Sequence, residues 1–172
     1  SDRDALLCRY KSGRRKLSKR DQLTLEFAGV YRHYHAAFMR TLIIGKPNKD
    51  HLKMDEACRA ALSEVEGALR PGKTAGEVFE AHARVMDAHG MREHRLNACG
   101  YSLGAKFTPS WMDFPMFYRG NEVVIAEGMV FFAHMILMNS ASEAAYCLGR
   151  TYIIGTRKPE PVSKYPLTMI AR

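Results

Sequence analysis

The stretch LEFAGVYRHYHAAFMRT, Leu25–Thr41, carries one carboxylate, Glu26, followed by two histidines, His33 and His35, and contains no aspartate. If the second half is a strand, alternation puts Tyr31, His33, His35 and Ala37 on one face. Two imidazoles spaced in this way allow three readings: solvent-facing residues, an H-x-H metal pair, or acid/base and binding groups in a cleft. A metal needs further donors, and Glu26 and His134 would have to supply them. Acid/base chemistry needs only a histidine that titrates near neutrality beside a carboxylate. Glu26 follows Leu23 and Leu25 on a strand expected to be buried, where a carboxylate must be paired or protonated. It is therefore the first candidate for chemistry. His134 lies in FFAHMIL, the most apolar part of the chain, where a hydrogen-bonded core histidine is the plainer reading than a catalyst.

The elements that would position these groups follow from periodicity. Gln22–Phe27 alternates Leu23, Leu25 and Phe27 with polar residues and predicts a strand; Ala28-Gly29 predicts the turn, and Tyr31–His35 the start of the return arm. RTLIIG, Arg40–Gly45, is β-branched and ends in the loop signal GKPN. From Asp50 to Arg70 apolar residues recur at helical spacing until Pro71-Gly72 stops them. Thr74 and Glu77 form a Thr-x-x-Glu capping box for a second helix, closed by Gly90. On it, His82 and His89 read as packing or surface residues. Beyond REHRLN the pattern turns to strands again, at Gly100–Gly104, Glu122–Ile125, Met129–Leu137 and Gly149–Ile154, with a Pro/Trp loop TPSWMDFPMFY between the first two. Hairpin, two helices and then antiparallel strands predict an α+β domain spanning residues 1–172.

At 172 residues and 47% apolar, the chain suffices for one domain with a core. No apolar run reaches membrane-spanning length, which leaves a soluble cytoplasmic protein with no membrane partner as the expectation. Cys8, Cys58, Cys99 and Cys147 are far apart with no CxxC pair, suiting buried reduced thiols. The net charge of +8 invites a nucleic-acid reading, but six of those charges sit in the first twenty residues, around KSGRRKLSKR. That cluster has few interleaved aromatics, so no nucleic-acid partner is expected.

Taken in order, the hairpin ending Arg40-Thr41, LRPGKTAGEVFE between the helices, GYSLG, EGMVFF and CLGRTYIIGT resemble the pita-bread domain of creatinase, prolidase, aminopeptidase P and ectoine hydrolase. The resemblance covers nearly all of residues 20–156. It implies a pita-bread α+β fold and an incomplete, C-terminal piece of it, with the N-terminal domain and the first part of the pita-bread domain absent. In the dimeric relatives a partner's N-terminal domain helps close the site, so a homodimer is also implied.

The resemblance places the five metal-binding positions of the peptidase members on Glu26, Ala37, Tyr101, His134 and Gly149. Four carry a residue of a different kind, so no metal and no other cofactor is expected. EFAGVYRHYH, GYSLG and the loop at Thr108–Trp111 are most similar to the ectoine-hydrolase branch. That branch and creatinase are understood to cleave C–N bonds of small amidine-like compounds without metal. The implied function is a metal-independent hydrolase of that kind. Glu26 is nucleophile or general base, and His35, with His33 or His134, carries the proton. Tyr101 stabilises developing charge, while His33, Trp111 and Phe117 bind the small-molecule substrate. The segment matching creatinase's base histidine, Lys11–Leu17, contains no histidine. Alternatives are an Xaa-Pro dipeptidase-type metallopeptidase and a catalytically inactive binding protein of the same fold.

Overall fold

A computed structural model describes residues 5–6 and 16–172, so Cys8 and most of the basic N-terminal cluster lie outside the described residues. Strands β1 (Gln22–Tyr31) and β2 (Tyr34–Ile43) form a long hairpin, followed by helices α1 (Lys49–Ala68) and α2 (Ala75–Ala88). Strands β3 (Ala98–Ser102), β4 (Asp113–Tyr118), β5 (Val130–Asn139) and β6 (Ala144–Ile154) follow, then the short β7 (Pro159–Pro161) and β8 (Ile170–Ala171). One sheet runs in the order β1-β2-β6-β5-β3-β4, with β7 on β6 and β8 parallel to β2. The α+β expectation is met.

Both helices lie on one face of this sheet. Asn48 caps α1 by accepting from the His51 N–H at 2.8 Å. The capping box of α2 forms as its spacing predicts, with Glu77 N–H donating to Thr74 Oγ1 at 3.1 Å and Thr74 N–H to Glu77 Oε2 at 2.8 Å. Met54, Leu62 and Val65 of α1 and Val78 and Phe79 of α2 pack on Phe131, Met135, Leu137, Tyr146 and Leu148 of the sheet. Strand alternation then sends Phe132, His134 and Ile136 of β5 to the opposite face. There Phe132 and Ile136 join Ala37, Met39, Tyr101 and Cys147 in a second apolar cluster. β5 is thus buried on both faces, which is why its sequence reads as one apolar run.

Several local expectations need correction. The hairpin turn is at Arg32-His33, both at positive φ (48° and 67°), and not at Ala28-Gly29. Ala28 and Gly29 stay in the ladder opposite Ala37 and Ala36. His33 is therefore an exposed turn residue and does not share a strand face with His35. Glu26 is exposed, because β1 is the sheet edge among the described residues and its flanking Leu25 and Phe27 are themselves exposed. Glu122–Ile125 is not a strand; its Val124 makes only an isolated bridge to Thr74. Residues 113–118, read as loop, form β4 at the other sheet edge, where Pro115 costs no central ladder bond. His82 is fully packed, and burial, with Arg95 and His134 nearby, lowers its pKa to about 3.

Candidate active site

The concave face opposite the helices is organised by strand register. Glu26 of β1 pairs with Met39 of β2, Met39 with Gly149 of β6, and Gly149 with His134 of β5. These four residues form one row across the sheet, all on the same face. One step along, Tyr101 of β3 pairs with Phe132 of β5. Neighbouring strands are about 4.8 Å apart, so Glu26 and His134 stand roughly 14 Å apart along a flat row. Along such a row the two side chains reach the space between them from opposite ends.

A cavity of about 500 Å³ covers this row and is lined by Glu26, Met39, Tyr101, Trp111 and His134 among others. Its size suits a small molecule. The 103–112 segment forms a wall, and Trp111 is fixed by donating its Nε1–H to Tyr101 Oη at 2.9 Å. The Tyr101 ring lies 5.5 Å from the His134 ring and 5.6 Å from Phe132. Burial lowers the pKa of His134 to about 4, so its imidazole is neutral at physiological pH. Nδ1 of His134 is buried without a hydrogen-bond partner among the described residues.

The structure therefore gathers Glu26, Tyr101, Trp111 and His134 around one cavity and leaves three other candidates outside it. His35 is buried behind the wall, its ring 4.6 Å from Phe107 and 5.7 Å from Trp111, with neither ring nitrogen partnered among the described residues. It faces a separate apolar trough on the hairpin, which Tyr34 and Phe27 also line. His33 sits at the hairpin tip. Phe117 belongs to the helix-side core, stacked on Phe131 at 4.7 Å, because alternation in β4 sends Met116 and not Phe117 to the cavity. As substrate-binding residues, His33 and Phe117 are thus misplaced. The residues missed were the apolar floor, Met39, Phe132 and Ile136, although the period-two pattern around His134 already put Phe132 and Ile136 on its face.

The metal site that the resemblance places here does not fit these residues. Ala37 offers no donor, and among the described residues no three His, Cys, Asp or Glu side chains come together to hold an ion. Gly149 is closed as well as bare. A Cβ there would meet Phe132 Cζ at 2.5 Å and Met39 Cβ at 3.0 Å. The space a carboxylate would need is filled by a fully buried phenyl ring.

Comparison with known proteins agrees with this architecture. Ectoine hydrolase of Halomonas elongata is 29% identical over 107 residues, 62% of this chain and 27% of that protein. The Xaa-Pro dipeptidase of Pyrococcus furiosus is 23% identical over 116 residues, 67% of this chain and 32% of the relative. Dipeptidase PepE from Mycobacterium ulcerans superposes with a TM-score of 0.90 at 22% identity, covering 98% of this chain and 44% of that one, which shows the shared pita-bread fold. The chain thus spans less than half the length of each of these relatives. Residues 1–156 match the family to which these features point, and the chain belongs to metallopeptidase family M24.

Proposed function

We propose that this chain carries the site of a metal-independent hydrolase that cleaves a C–N bond in a small amidine-like compound. The observation that carries the reading is the row itself. A carboxylate stands at one end and a neutral imidazole at the other, with Tyr101 beside it and Gly149 sealed where a metal-binding carboxylate would have to enter. The similarity to ectoine hydrolase supports the substrate class.

In the proposed reaction the amidine carbon is attacked either by Glu26 itself or by a water whose proton Glu26 accepts. Tyr101 donates to the negative charge that develops at the attacked centre. The C–N bond then breaks, its electron pair leaving on nitrogen; in the water route that nitrogen takes up the proton Glu26 accepted, and in the direct route it takes a proton from solvent. His134, neutral and with Nδ1 unpartnered among the described residues, is proposed to exchange a proton with the leaving nitrogen from the end of the row opposite Glu26. His33 has no part in this arrangement, and His35 acts on it only through Phe107 and Trp111. When Glu26 is the nucleophile, a water then hydrolyses the resulting acyl imidate to the amide product, which regenerates the carboxylate and returns the proton taken from solvent.

The test is turnover of a panel of cyclic amidines, creatine-like compounds and Xaa-Pro dipeptides, with and without chelator. Amidine hydrolysis unaffected by chelator and lost in Glu26→Gln is the expected result. Chelator-sensitive turnover overturns the metal-independent reading, and unchanged turnover in Glu26→Gln overturns the role of Glu26. A second reading, ligand binding without turnover, is favoured by the apolar floor of Met39, Phe132 and Ile136, which resembles a core more than a reactive surface. Saturable binding of an amidine that is never consumed distinguishes it.

A further inference from the structure

The wall of the cavity is held by its side chains and not by its main chain. Just past β3 the Leu103 N–H donates to Val130 O at 3.2 Å, and Gly104 O accepts from the His35 N–H at 3.0 Å. From Ala105 to Trp111 no main-chain group forms a hydrogen bond among the described residues, and β4 begins only at Asp113. Trp111 Nε1–H donates to Tyr101 Oη at 2.9 Å, and the Trp111 ring packs against the apolar floor. The rings of Phe107 and Trp111 stand 4.6 and 5.7 Å from that of His35. The remaining polar link, Lys106 to Asp113 at 3.8 Å, joins two exposed side chains and contributes little. A stretch fastened in this way belongs to the low-stability end of a fold.

His35 carries a cost in this closed arrangement. It is 5% exposed, and both ring nitrogens are buried with no hydrogen-bond partner among the described residues. The ring therefore gives up hydration at both nitrogens in exchange for contact with Phe107 and Trp111. Lifting the wall returns water to it.

We infer that residues 105–111 form a lid over the cavity, hinged at Gly104 and Met112, and that His35 is the positioning residue that latches it. Ring packing holds the lid shut, and the two dry nitrogens keep the latch weak enough to open. Closing brings Trp111 onto Tyr101, and a hydroxyl oxygen that accepts from Trp111 is a stronger donor through its own hydrogen. The lid itself does not depend on the proposed hydrolysis; only its effect on Tyr101 as a donor rests on that reading.

Trp111 is the only tryptophan in the 172 residues, so acrylamide quenching of its emission reports the lid. Nitrogen relaxation dispersion reports opening on the μs–ms timescale, and it is expected at residues 105–111 and not in β5. His35→Ala loses the ring contacts and should raise the open population about tenfold. His35→Phe keeps a ring and removes both nitrogens, so it should lower that population about tenfold, the weight of one unmet hydrogen bond. Where the phenyl ring lowers the urea midpoint, His35→Met takes its place with the same fall expected. Phe107→Ala, at a position 44% exposed, should open the lid as His35→Ala does. A plain packing role does not give opposite signs for the two kinds of His35 variant. Relaxation at 105–111 as flat as that of β5, an apolar His35 variant of unchanged urea midpoint that loosens the lid, or quenching unmoved in both His35→Ala and Phe107→Ala overturns the inference. Lid opening as described without amidine turnover sinks the hydrolase alone, and turnover with a rigid 105–111 segment sinks the lid alone.

Discussion

Substituting Gly149 tests whether the centre of the row is sealed by packing. Its φ is not among the positive values, so a side chain there meets no backbone strain and any cost is steric. In Gly149→Ala the new Cβ would lie 2.5 Å from Phe132 Cζ and 2.8 Å from its Cε2, against an ordinary carbon–carbon contact of about 3.5–4.0 Å. Phe132 is fully buried and Met39 Cβ closes the other side at 3.0 Å, so the ring has to move by roughly 1 Å into packed neighbours. Overpacking of this kind costs about 1–3 kcal/mol, and the loss of glycine's freedom in the unfolded chain returns about 0.4–1 kcal/mol. The net expectation is a destabilisation of about 1–2 kcal/mol. Phe132→Ala alone should cost about 3–5 kcal/mol through the cavity it leaves. In the double variant the alanine methyl occupies space the ring has vacated, so the combined cost should fall short of the sum by about 1–3 kcal/mol. Urea unfolding of the four proteins, with equal m-values as the control for two-state comparison, measures this coupling. A neutral Gly149→Ala, or strict additivity in the double variant, would refute the claim that Phe132 closes the position.

Two further outcomes follow from buried groups elsewhere. His82 and His134 have their pKa values lowered by burial to about 3 and about 4, so the unfolded chain takes up protons below about pH 6.5 that the folded chain refuses. Stability is therefore highest above pH 6.5 and is lost as pH falls towards 4, by up to about 2 kcal/mol per histidine at pH 5. Urea midpoints at pH 7.5 and 5 should show the drop, His82→Leu should lessen it, and imidazole resonances of both residues should stay unprotonated at pH 5. Arg40, almost fully buried, donates to the carbonyls of Met39 and Gly149 at 2.7 and 2.8 Å and to Pro166 at 3.3 Å. Arg40→Ala should cost about 2–4 kcal/mol and raise hydrogen exchange across residues 165–172, whereas Arg40→Lys, with no planar fork, should restore only part of it. Protection of that segment unchanged in Arg40→Ala would show that Arg40 does not hold it.

What the chain's own pattern revealed depended on how local each determinant is. The α2 capping box was legible because Thr74 and Glu77 satisfy each other within one turn. Strand β5 was legible because its unbroken apolar run has strand length, whereas its burial on both faces emerges only from its central place in the sheet. The hairpin tip was not. Two-residue turns with both residues at positive φ favour Asn and Gly, and here Arg32 and His33 take that conformation while Gly29 stays in the ladder. The long β1–β2 pairing outweighs the local preference of the turn. That shift moved His33 from the site face to the tip. The exposure of Glu26 was equally hidden, because alternation states which side a residue faces but not whether its strand is central or at an edge.

The same row explains why the site residues are linked and not independent losses. Ala37 and Gly149 lack side chains that could reach an ion, and Phe132 occupies the volume beside Gly149, so restoring a carboxylate there requires shrinking the ring first. With the centre apolar, polar function is confined to the two ends, and these differ in access to water. Glu26 is exposed on the edge strand of the described sheet, and His134 is buried beside Tyr101. In the proposed hydrolysis the attacking water must therefore arrive from the Glu26 end. His134, held neutral by burial, exchanges protons in the proposed reaction with a group inside the cavity. The separation of the two along the row makes the bound ligand itself the bridge between them. A compound too short to touch both ends should bind without turning over, whereas one that spans the row should be cleaved.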